Sequence, residues 1–163
     1  MANLEGQDIV NTKQFSREEL DLIMEKSAKY DEKLKKEETV DLMENEVLGS
    51  LFFEPSTRTR LSFETAMHKL GGDVVTVADP KTSSAAKGES MSDSIRTVEG
   101  YADVIVMRHP QIGSAEEAAE ASSIPILNGG DGAGQHPTQA LLDIYTVYEE
   151  EGGVDGINIS LVG

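Results

Sequence analysis

The sequence predicts an α/β fold, a three-layer domain with a mostly parallel sheet and helices on both faces. Short β-branched or apolar runs alternate with longer amphipathic stretches at spacings suited to βαβ units. Two of the runs, 103–107 and 124–127, are almost unbroken in apolar residues, as strands covered on both faces are. Each run gives way to a polar or glycine-rich turn. The chain has 163 residues, a single domain's length, and folding at that size buries roughly 68–70% of the unfolded surface.

Each element has its own signal. Ser16 caps a first helix, with Glu19 completing a capping box, and Leu20, Ile23, Met24, Ser27 and Tyr30 form one semi-apolar stripe. The charged segment Lys33 to Asn45 ends this helix and leads to a first strand around Leu48, Leu51, Phe52 and Phe53. Pro55 breaks that strand, Ser56, Thr57 and Thr59 offer caps, and a second helix follows with Phe63, Ala66, Met67 and Leu70 on its inner face. Asp73 to Asp79 is a short β-branched strand, and Lys81 to Gly88 a polar loop. Glu89 and Ser90 lead into a helix whose Met91, Ile95 and Val98 share one side with Ala102 beyond it. Asp103 to Met107 is a third strand, Ser114 to Ala121 a helix, and Ile124 to Leu127 a fourth strand followed by a glycine-rich turn, Asn128 to Gln135. His136 opens the next helix with Pro137 at its first position, where the missing N–H costs nothing, and Leu141, Tyr145 and Tyr148 face inward. Ile157 to Gly163 reads as one more strand beyond Gly152 and Gly153. The organisation expected is therefore one domain over 1–150, with 151–163 a linker and the first strand of a truncated second domain. No internal repeat or low-complexity segment is present.

Composition excludes several classes. With no cysteine and three histidines there is no disulfide, no thiolate metal site and no basis for a zinc centre, so neither metal nor cofactor is expected. A formal charge of −16 repels nucleic acid over most of the surface. No apolar run reaches the roughly 20 residues of a membrane span, and Met1 to Asp8 lacks the pattern of a secretory leader. A soluble, cytoplasmic protein is expected.

Any anionic ligand of such an acidic chain needs a local cationic pocket. In an open parallel sheet ligands lie at the carboxyl ends of the strands, which gathers the turns after Phe53, Asp79, Met107 and Leu127 along one edge. The first of these turns holds Ser56, Thr57 and Thr59 beside Arg58 and Arg60 at a helix start. Free first-turn amides, the helix dipole, hydroxyls and guanidinium forks together suit a phosphate. The same residues also read as plain caps with solvated arginines. Arg108 leaves the third strand and His136 starts a helix at the same edge; each taken alone reads as a surface charge or a cap.

FEPSTRTR (Phe53 to Arg60), KGE (Lys87 to Glu89), MRHP (Met107 to Pro110) and HPTQ (His136 to Gln139) occur in that order, and with them the sequence resembles the aspartate/ornithine carbamoyltransferase family along nearly its whole length. The resemblance implies a carbamoyl-phosphate site. Ser56, Thr57, Arg58 and Thr59 would hold the phosphate; Thr59, Arg108 and His136 would donate to the carbamoyl carbonyl oxygen; Gln139 and backbone carbonyls would hold the NH2. In the family, Ser83 and Lys87 would enter the active site of a neighbouring subunit, so a homotrimer is implied, joined in some members by zinc-bearing regulatory chains. The reaction implied is attack of the L-aspartate amine on the carbamoyl carbon with loss of phosphate, needing no metal, covalent nucleophile or protein base. The aspartate-binding second domain is absent, so this chain alone should lack turnover. His109 reads as structural, and Glu54 as a partner of Arg108 or of a domain-closing arginine.

Arg-His-Pro and Thr138 favour the aspartate type, since ornithine-type members usually carry cysteine at the latter place. The rivals are an ornithine-type enzyme, a non-catalytic anion-binding or oligomerisation module, and a P-loop nucleotidase, which lacks its G-x-x-x-x-G-K-[ST] motif here.

Overall fold

A computed structural model describes residues 3–36, 40–77, 88–160 and 162. The elements run α1 (Arg17–Lys35), β1 (Val47–Phe52), α2 (Thr57–Lys69), β2 (Asp73–Val77), α3 (Met91–Val98), β3 (Val104–His109), α4 (Ser114–Ala121), β4 (Ile126–Asp131) and α5 (Pro137–Glu151), with a 3-10 turn at Thr12–Gln14. The four strands form one parallel sheet in the order β2-β1-β3-β4. The expected α/β architecture is therefore present.

Two apolar layers cover the sheet, and the period-2 alternation of strand side chains assigns residues to each. Leu51, Ile95, Ile105, Met107, Ala118 and Ile126 pack on the face that carries α3 and α4. Leu48, Phe52, Met67 and Val106 pack on the opposite face with α2. α3 lies very close to β1, because a Cβ on Gly49 would stand 2.9 Å from Val98 Cγ1 and 3.2 Å from Ala102 Cβ. Polar groups fix α2 on its strands: the buried Ser50 Oγ and the exposed Thr76 Oγ1 donate to Glu64 Oε1 at 3.0 and 2.9 Å. The Ser16–Glu19 capping box opens α1 as its sequence predicts.

Several expectations need correction. Ala66 is exposed, and Met67 is the fully buried residue of α2. β4 begins later than Ile124 and continues through Asn128, Gly129 and Gly130 to Asp131; residues read as a turn are strand because Asn128 and Asp131 pair with Met107 and His109 of β3, with Gly129 and Gly130 in the register shift between them. β3 likewise runs through Arg108 to His109. Residues 157–160 form no strand, since they are exposed and pair with no described strand. α5 ends at Glu151, with Gly152 in a left-handed conformation as its C-cap.

One feature had no sequence signal. Ile9 makes a parallel bridge to Leu127, its amide donating to Ile126 O and its carbonyl accepting from Asn128 N, both at 2.8 Å. Asp8 to Val10 thus covers the outer edge of β4. Between this segment, α1, α5 and the sheet lies an apolar groove of about 630 Å³, lined by Ile9, Phe15, Ile23, Met43, Leu127 and Leu141 among others; Arg108 and His136 are not in its wall. No described helix is long and apolar enough to cross a membrane.

Candidate active site

Strand register brings the first and third turns together. Phe52 is the partner of Arg108 across β1 and β3, and Phe53 N donates to Arg108 O at 2.8 Å. The next residue, Glu54, sets its Oε2 3.4 Å from Arg108 Nε, the pairing its sequence position predicts. Both atoms are buried and neither makes a hydrogen bond among the described residues, so this is an ion pair rather than a locked fork. The other arm of the guanidinium is directed: Arg108 Nη1 donates to Gly129 O at 3.1 Å.

Gly130 is where the site closes. Its φ of +118° is strained for any residue with a side chain. A Cβ there would lie 2.7 Å from Arg108 Nη1 and 3.4 Å from His136 Cδ2, so the guanidinium and the imidazole meet over bare backbone. At Gly129 a Cβ would be 3.6 Å from Thr59 Cγ2. Arg108, His136 and Thr59, from three different turns, therefore converge on two adjacent glycines. Asn128, fully buried, sets that backbone by accepting from Gly130 N at 2.8 Å and donating to Val10 O at 2.9 Å. Sequence reading missed Asn128 because Asn-Gly-Gly reads as a turn.

His136 occupies the N-cap position of α5, and its side chain makes no cap hydrogen bond. Its Nδ1 lies 3.4 Å from Thr138 Oγ1, which leaves Nε2 as the nitrogen open to a ligand. Burial lowers its pKa below the ordinary 6.5, the Arg108 cation lowers it further, and Asp131 and Asp143 oppose the shift. At neutral pH the ring is thus held uncharged. Gln139, one turn into α5, donates through Nε2 to Asp143 Oδ1 at 3.0 Å, so its oxygen remains available as an acceptor.

Ser56 is the N-cap of α2, yet its hydroxyl accepts no cap hydrogen bond, contrary to the capping role its position predicts. Thr57 and Arg58 are exposed on the first turn. Arg60 faces Glu64, with Nε to Oε1 at 3.8 Å, and is drawn away from the phosphate role that its place beside Arg58 implies. Ser83 and Lys87 lie outside the described residues. His109 packs edge-on to Phe53 at 5.4 Å and accepts from Gln111 N at 3.1 Å, a structural role as expected.

Residues 7–149 match the profile of the aspartate/ornithine carbamoyltransferase, carbamoyl-P binding domain. The chain is 52% identical over 155 residues to the aspartate carbamoyltransferase catalytic subunit of Methanocaldococcus jannaschii, covering 95% of this chain and 51% of that one. It is 49% identical to the chloroplastic aspartate carbamoyltransferase of Arabidopsis thaliana, covering the whole of this chain and 42% of the other. Aspartate transcarbamoylase from Trypanosoma cruzi, solved in complex with carbamoyl phosphate and aspartate, superposes with a TM-score of 0.93 at 45% identity, covering 98% of this chain and 53% of that one. The chain thus spans about half the length of the curated relatives it matches.

Proposed function

The chain belongs to the aspartate/ornithine carbamoyltransferase family, and from that premise we propose that it is the carbamoyl-phosphate-binding half of an aspartate carbamoyltransferase, forming N-carbamoyl-L-aspartate and phosphate on the route to pyrimidines. The observation that carries the reading is the meeting of Arg108 and His136 over Gly130, beside Thr59.

The roles follow from what each group can donate or accept. The phosphate rests on the first-turn amides of α2, the uncommitted Ser56 hydroxyl, Thr57, Arg58 and Thr59. The carbonyl oxygen gains negative charge as the aspartate amine bonds to the carbamoyl carbon, and it needs fixed donors there. Thr59, Arg108 and neutral His136 supply them, the last through Nε2–H when Nδ1 accepts from Thr138. The free oxygen of Gln139 accepts from the carbamoyl NH2. Collapse breaks the carbon–oxygen bond to phosphate, whose dianion takes up the amine proton. Removing one donor of this kind typically costs on the order of 10²–10³ in turnover.

The division into a domain over 1–150 and a linker entering a second domain belongs to this reading. So do a homotrimer in which Ser83 and Lys87 complete a neighbour's site, association with regulatory chains, and a cytoplasmic location. The 163 residues span about half the length of the relatives they match, and by themselves they are expected not to turn over aspartate. Calorimetric titration with carbamoyl phosphate, paired with solution mass, is the test. Saturable binding that weakens in Arg108→Ala and His136→Ala, on a species three times the chain mass, is expected. Binding unaffected by both substitutions overturns the site, and formation of carbamoyl-aspartate by the chain alone overturns the claim about turnover.

A further inference from the structure

We propose that Asp131 is a positioning residue of this site: its carboxylate ties the turn that follows Arg108 to the turn that precedes His136, and so sets the distance between those two side chains. The inference rests on the carbamoyl-phosphate reading for its functional meaning, and on geometry for its substance.

Asp131 is the last residue of β4 and is 1% exposed. A buried carboxylate is costly unless its oxygens are satisfied, and no ion pair among the described residues includes it. Two backbone amides satisfy it instead. Oδ2 accepts from Gly113 N at 2.9 Å, at the N-cap of α4 and the end of the turn that follows Arg108. Oδ1 accepts a short hydrogen bond from Gln135 N, immediately before His136. The main chain closes the same loop, with Gly134 N donating to Asp131 O at 2.9 Å and Asp131 N to Gln135 O at 3.2 Å. Gly132 N reaches across to His109 O at 2.9 Å.

Both partners are donors, so both carboxylate oxygens are required. An asparagine of the same shape would turn an NH2 toward one of the amides and release one turn. A serine could satisfy only one. No other described side chain accepts from both turns, and Arg108 and His136 both reach the space above Gly130, where a Cβ would lie 2.7 Å from Arg108 Nη1 and 3.4 Å from His136 Cδ2. The charge of Asp131 also reaches His136, opposing the Arg108 cation that disfavours the imidazolium.

The test measures carbamoyl phosphate binding to the wild-type chain, Asp131→Asn, His136→Ala and the double variant, and follows the histidine ring signals by NMR without ligand. Asp131→Asn is expected to weaken binding on the order of ten- to a hundredfold, as misplacing a contacting group does. In the His136→Ala background the same substitution is expected to cost less than about twofold, because only additive sites multiply their losses. The His136 ring signals are expected to move and its titration to fall, while ring signals of His68, at the other end of α2, stay in place. Losses that multiply, or His136 signals that stay put, overturn the assignment. If the wild-type chain fails to bind carbamoyl phosphate, the functional reading fails, and the ring signals still decide the positioning. Should Asp131→Asn not fold, Asp131→Ser takes its place; if neither folds, the residue is structural and the proposal is wrong.

Discussion

Gly130→Ala tests the convergence of Arg108 and His136 most directly. The added carbon would stand 2.7 Å from Arg108 Nη1, inside the distance any real contact reaches, and 3.4 Å from His136 Cδ2, which is tolerable. The guanidinium is the end of a flexible chain and would swing away, giving up its bond to Gly129 O, worth about 0.5–1.5 kcal/mol. The φ of +118° adds strain of about 1–3 kcal/mol. The fold should survive that sum, because the strained residue lies at the end of β4 while the apolar layers are untouched. The donor, however, is displaced. Thermal unfolding should therefore show a lowered but cooperative transition, and calorimetry should show carbamoyl phosphate binding reduced to the level of Arg108→Ala. Combining the two substitutions should add almost nothing. Wild-type affinity in Gly130→Ala would refute the placement of Arg108 over that backbone.

Thr138→Val removes the hydroxyl facing His136 Nδ1 and with it the bias toward the Nε2–H tautomer, so nitrogen shifts of the ring should show a mixed population and carbamoyl phosphate should bind more weakly. His136 and His109 both have pKa values depressed below 6.5 by burial, so the unfolded chain binds more protons between the folded values and 6.5. Denaturant melts should thus show stability rising with pH through that window, and a flat profile in the absence of both rings. Ile95→Ala empties a site of 0% exposure in the α3 layer and should cost about 2–5 kcal/mol in urea unfolding, with the affinity for carbamoyl phosphate unchanged in the folded fraction.

How much of this was legible differs by element. The Ser16–Glu19 box, the inner stripe of α3 and the β1–turn–α2 stretch were readable because local signals and tertiary outcome agree. Ala66 was misplaced because helical spacing defines a stripe but not its edges, and β1 and β2 meet α2 closer to Met67. The run from Asn128 to Asp131 was misread for a different reason. Glycine has weak intrinsic preference for a strand, and here the pairing of Asn128 and Asp131 with β3 carries Gly129 and Gly130 through as a register shift. Arg108, His136 and Thr59 could be named from motifs, but their meeting depends on register. Asn128 and Asp131 are polar residues whose importance lies in being buried, which composition and periodicity do not reveal.

Thr12 donates through both its amide and its hydroxyl to the side-chain oxygen of Gln135, across 123 positions of sequence, just as Ile9 docks beside Leu127. A growing polypeptide exposes Thr12 long before Gln135 has been synthesised, and closing so wide a loop is slow compared with winding a helix. The wall beside His136 therefore closes only once Gln135 has been made and the chain around Thr12 has returned to meet it. A bulky fusion near Thr12 should interfere with maturation of the pocket well before it disturbs the central strands.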